Sequence, residues 1–105
     1  MAYDEDLDLR IRAIVDRFAM ERKKMFGGTC YLEGGKMVCG VWKDNIILRL
    51  GMEESEKALS LPGVKVFDIT GKPMKGWVMI ARKDLEIAEI EGWIAKARSF
   101  VGGLA

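Results

Sequence analysis

The sequence predicts an α+β domain with elements in the order α-β-β-β-α-β-β-α, folded as an antiparallel sheet with helices mainly on one face. Three observations lead there. Apolar residues recur at spacings of three and four near both ends of the chain. Short β-rich runs in the middle are separated by turn-forming pairs such as Gly34-Gly35. The 105 residues, 50% hydrophobic, suffice for one core and leave no room for a second, so residues 1–105 form a single domain.

The first helix spans residues 4–20, with Leu7, Ile11, Ile14, Val15 and Phe18 on one stripe. Asp4 caps it, and Glu5, Asp6 and Asp8 sit where the positive end of the helix dipole favours acids. Arg22, Lys23 and Lys24 follow as a cationic run suited to its other end. Strands at 29–33 and 36–42 flank Gly34-Gly35, and a third at 46–50 follows the turn Lys43-Asp44-Asn45. Alternation places Cys30, Leu32, Met37, Cys39 and Val41 on the core face. Tyr31, Glu33, Val38, Gly40 and Trp42 then point away from it. A short helix covers residues 52–60 and stops at Pro62-Gly63. Strands at 65–69 and 77–81 bracket a polar loop, and the last helix starts near Asp84 or Glu86. It carries Ile90, Trp93, Ile94, Ala97 and Val101 and ends at Gly102-Gly103.

Composition removes several function classes. Lys and Arg number 17 against 16 Asp and Glu, a net charge of +1, which opposes a strongly basic nucleic-acid binder. Zero His excludes imidazole triads, metal sites and proton relays. No phosphate-cradling glycine pattern occurs, and no Ser or Cys is spaced with a base, so the chain reads as non-enzymatic, without cofactor or metal. The acidic start and the absence of a ~20-residue apolar run argue against a leader or a membrane span. Two cysteines are too few for a disulfide scaffold, which places the protein in the cytoplasm.

A symmetric hairpin about Gly34-Gly35 sets Cys30 opposite Cys39. The pair reads either as two small buried hydrophobes or as a thiol redox sensor. Two further segments stand out. Met25, Phe26, Gly27 and Gly28 fall where the chain turns from helix to sheet, either as a core plug with a glycine corner or as backbone that approaches a ligand or partner. Lys72, Met74, Lys75 and Trp77 lie in a loop that either presents Trp77 to the core or forms a contact patch.

Ala2-Tyr3-Asp4-Glu5, Met25-Phe26-Gly27-Gly28, the stretch 44–49, Pro73-Met74-Lys75-Gly76-Trp77 and Trp93 together resemble the TfoX N-terminal domain family across almost the whole chain. The resemblance implies an α+β fold of the type III secretion-chaperone kind. It also implies kinship with TfoX/Sxy proteins, which promote competence-gene expression alongside the cyclic-AMP receptor protein. Those regulators carry a second, C-terminal domain, whereas this chain ends at Ala105. The family supplies no catalytic residues. The leading expectation is therefore a regulatory module that binds another protein, with transcription machinery as the candidate partner, through sheet or loop surface. A homodimer through Trp42, Tyr31 and Val38 is a second expectation. The alternatives are weak nucleic-acid binding through Arg22, Lys23, Lys24, Lys72, Lys75, Arg82 and Lys83, and a small-ligand or thiol sensor.

Overall fold

The computed structural model describes residues 4–25, 27–68 and 71–104. Its elements run α1 (Glu5–Val15), β1 (Glu21–Met25), β2 (Gly28–Glu33), β3 (Lys36–Trp42), β4 (Asn45–Arg49) and α2 (Met52–Leu59). Then come β5 (Val64–Val66), β6 (Trp77–Ala81) and α3 (Ile90–Gly102), the last entered through two single 3-10 turns. The six strands form one antiparallel sheet in the order β1-β2-β3-β4-β6-β5.

All three helices share one face. Leu7, Ile11 and Val15 of α1, Ala58 of α2, and Ile90, Ile94, Ala97 and Val101 of α3 join a single buried cluster with Tyr31, Val41, Ile46, Leu48 and Ile80 of the sheet. The α+β expectation with helices on one face holds. Asp4 caps α1 as its spacing predicts, accepting a hydrogen bond from the Leu7 amide at 2.9 Å.

The chain departs from the expected order once, by an extra strand. Helix α1 stops at Val15, and Arg22, Lys23 and Lys24 belong to the edge strand β1, not to a helix terminus. A charged edge strand has a clear use, because lysine side chains discourage another sheet from pairing with its open backbone. The other edge, β5, is only three residues long. Of the strand expected at 65–69, the part at Ile69 lies outside the described residues.

The hairpin register also differs. Glu33 faces Lys36 and Leu32 faces Met37, but Tyr31 faces Cys39 and Cys30 faces Gly40, leaving Val38 as an extra residue in β3. This bulge reverses the side-chain parity beyond it. Tyr31 and Val38, expected outside, lie in the helix-covered core, with Cys39 and Val41 as expected. Cys30, Leu32 and Met37, expected inside, take the opposite face.

Candidate interaction site

The sheet face without helices is apolar in its middle and cationic at its rim. One cross-strand row runs Lys23, Cys30, Gly40, Ile47, Met79, Lys65 from edge to edge. A Cβ on Gly40 would fall 2.6 Å from the Thr29 carbonyl oxygen and 3.3 Å from the Met37 methyl, so close backbone approach and Met37 packing leave no room for a side chain there. Ile47, Met79 and Phe67 are buried, and Met37, Trp42, Met74 and Trp77 pack half-buried against them. Among the described residues this second cluster contains no helix residue.

The covering comes from the connection between β5 and β6. The Met74 amide donates to the Phe67 carbonyl at 2.9 Å, which doubles the loop back, and the Trp77 amide donates to the Met74 carbonyl at 3.2 Å. Gly76, at φ +88°, anchors its end by accepting from the amides of Leu50 and Gly51. Phe67 and Trp77 rings thereby meet at 5.7 Å. Lys72 and Lys75 stay exposed. Met74 and Trp77 pack onto the sheet, as the first of the two readings of this loop expects, while Lys72 and Lys75 project from it. Lys43 sits 4.6 Å over the Trp42 ring and Arg49 5.5 Å over Trp77, each engaging an indole through cation–π attraction.

The Met25 to Gly28 segment is a strand-to-strand turn, which corrects the expected helix-to-sheet corner. Met25 pairs with Gly28, and Gly27 takes φ +78°, the left-handed geometry that a two-residue hairpin needs. Phe26 lies outside the described residues. A Cβ on Gly28 would fall 2.1 Å from the Val41 carbonyl oxygen, so the glycine there permits close backbone approach between strands. With β2 and β6 three strand spacings apart, about 15 Å, this turn and the 72–77 loop form separate features.

The proposed cationic set is likewise dispersed. Arg22 donates to Asp8 at 3.1 Å, and Arg82 binds both oxygens of Asp4 at 3.0 and 3.1 Å. Lys23 lies on the open face at one edge of the sheet, while Lys72 and Lys75 lie on the loop between β5 and β6 at the other.

The cysteines do not face each other. Both are buried, unbonded thiols, on opposite faces of the sheet. Burial pushes the Cys30 pKa up to about 11, and burial followed by repulsion from Cys30 and Asp8 pushes Cys39 higher still. Neither is a ready thiolate at neutral pH.

Sequence reading missed one polar cluster. Asp8, 3% exposed, accepts hydrogen bonds from the Tyr31 hydroxyl and from Arg22, with the Arg12 guanidinium at 3.7 Å. The signal was present: residues 4, 8, 11 and 15 share one helix face, so Asp8 interrupts the apolar stripe. Among the described residues no group of three His, Cys, Asp or Glu is arranged to hold a metal, and no helix is long and apolar enough to cross a membrane.

Compared with protein-family models, with curated proteins and with solved structures, the chain matches none.

Proposed function

We propose that the domain is a non-enzymatic protein-binding module of the cytoplasm, related to TfoX/Sxy regulators of competence-gene expression, that engages its partner through the open sheet face and the 72–77 loop. The observation that carries this reading is the second apolar cluster, in which Met37, Trp42, Met74 and Trp77 are only partly buried, on a face that no helix among the described residues covers. Methionine and tryptophan are side chains that protein interfaces favour, methionine because it repacks around a partner. Lys23, Lys43, Lys65, Lys72 and Lys75 surround this floor, which suits a partner surface from transcription machinery with apolar anchors and acidic flanks.

Nucleic acid fits less well, because Lys43 and Arg49 already occupy ring faces of Trp42 and Trp77 that base stacking needs. Self-association by strand pairing is opposed by the charged β1 and the short β5. The homodimer expectation also loses Tyr31 and Val38, which lie under the helices.

The test is affinity capture from native extract, with and without nuclease, of the wild type and of Trp42→Glu. A nuclease-resistant partner that the variant no longer retains supports the reading. Retention that nuclease abolishes, or that Trp42→Glu leaves unchanged, overturns it.

A further inference from the structure

On the helical face, α2 rests on β5 and β6 while α3 rests on β3 and β4, so the two helices stand apart over the middle of the sheet. The gap between them is a chain of adjoining cavities of about 470, 430, 270 and 200 Å³. Leu50, Ile80 and Leu85 form its floor, and Leu61 and Trp93 each line three of the four cavities. Leu61 is 48% exposed although it sits beside an indole. Phe100 closes one end. From Glu89 to Phe100 the groove follows α3 for about 17 Å at 1.5 Å per residue, the length of roughly three helical turns.

The rim is acidic. Glu53, Glu54, Asp84, Glu86 and Glu89 line the cavities against two ammonium groups, Lys57 and Lys96, in a chain whose net charge is +1. Both cations are already engaged, Lys57 with Glu54 at 3.5 Å and Lys96 over the Trp93 ring at 5.3 Å. Glu53, Asp84, Glu86 and Glu89 form no ion pair among the described residues. Two anchor positions, Leu61 and Trp93, thus lie between unbalanced carboxylates.

We propose that the α2–α3 groove is a second docking site, for a basic amphipathic helix of another protein. Its apolar residues, spaced i, i+3 or i+4 and i+7, pack on Leu61, Trp93 and Phe100, while flanking Lys or Arg side chains meet the rim carboxylates. The rim repels nucleic acid and anionic lipid, and the acidic start of this chain cannot supply the charge. The occupant therefore differs in sign from the one that suits the open sheet face, so one domain holds two unlike partners on its two sides.

Selection of binders from a random 14-residue peptide library against the intact protein tests this, with the dissociation constants of the resulting peptides measured at two salt concentrations. The selected peptides are expected to be cationic and helix-periodic, to perturb the Trp93 indole NMR signal, and to weaken as salt rises. Glu86→Lys with Glu89→Lys, both on exposed positions that leave the core intact, is expected to weaken them about tenfold or more. Trp42→Glu on the opposite face leaves them unchanged, which separates this site from the sheet-face reading. Absence of enriched peptides, enrichment of acidic ones, binding indifferent to the double reversal, or a groove closed by a second copy in sedimentation velocity would each overturn the proposal.

Discussion

Replacing Tyr31 with Phe removes one oxygen and keeps the ring that fills the core beneath α1. The lost hydroxyl is the buried donor to Asp8 Oδ1, while Arg22 and Arg12 approach the other carboxylate oxygen at 3.1 and 3.7 Å. A hydrogen bond to a charged group contributes about 1.5–3 kcal/mol. Because Asp8 is only 3% exposed, water cannot readily replace the donor, and the expected loss is about 2–3 kcal/mol. For a domain of this size that lowers Tm by about 10–20 °C. Alkaline pH identifies the cause. Burial, followed by the hydrogen bond to Asp8, pushes the Tyr31 pKa up to about 12 from an ordinary value of 10.0. The folded state thus holds this proton more tightly than the unfolded state does. Its contribution is complete below the unfolded value and disappears as pH rises through the folded one, about 3 kcal/mol in all. Urea unfolding of wild type and Tyr31→Phe at stepped pH should show a constant stability gap from neutrality to about pH 10. Above that the gap should close by about 1.4 kcal/mol per pH unit. A gap that persists to pH 12, or a variant as stable as wild type at pH 7, would refute the assignment of Tyr31 to a buried donor role.

Arg98 binds both oxygens of Glu33 at 3.0 and 2.9 Å and lies 3.6 Å over the Phe18 ring. Both charged side chains are about one-third exposed, so Arg98→Ala should cost about 1 kcal/mol, and Arg98→Lys, which lacks the planar fork, should not restore it. The hydrogen bond from Arg98 lowers the Glu33 pKa, so this contribution is present above the ordinary glutamate range and fades as pH falls through the lowered value; acid titration of stability in both variants checks it. Gly28→Ala should lose about 2–3 kcal/mol in chemical denaturation, because its Cβ meets the Val41 carbonyl. Gly92→Ala, with nothing within 4 Å, should instead gain about 0.5–1 kcal/mol in α3. A thiol-selective oxidant should remove no hydrogens from the monomer, since Cys30 and Cys39 lie on opposite faces; loss of two hydrogens from the monomer would show that they pair after all.

Much of the fold was legible because local rules and tertiary packing agree there. Helix α2 begins at Met52 as its pattern predicts, and β6 spans Trp77–Ala81 without correction. Strand β1 was not legible, because Glu21, Arg22, Lys23 and Lys24 carry none of the apolar alternation that marks a strand. Only the sheet edge and the buried Asp8 give those side chains a place. The facing of Cys30 and Cys39 failed for a different reason: a bulge inserts one residue, and with a side-chain period of two, one residue inverts a face. Of the candidate surface, the 72–77 loop was visible in its glycine and lysines, whereas the apolar floor beneath it depends on pairing β4 with β6 across the α2 and β5 excursion.

The most direct test places a photo-crosslinking amino acid at position 74, on the open sheet face, and separately at position 13, an exposed site on α1. Irradiation in the native cell is predicted to yield a protein adduct from position 74 that survives nuclease, and none from position 13. A nucleic-acid adduct at position 74, or a protein adduct from position 13 alone, would contradict the account of the open sheet face as the domain's binding surface.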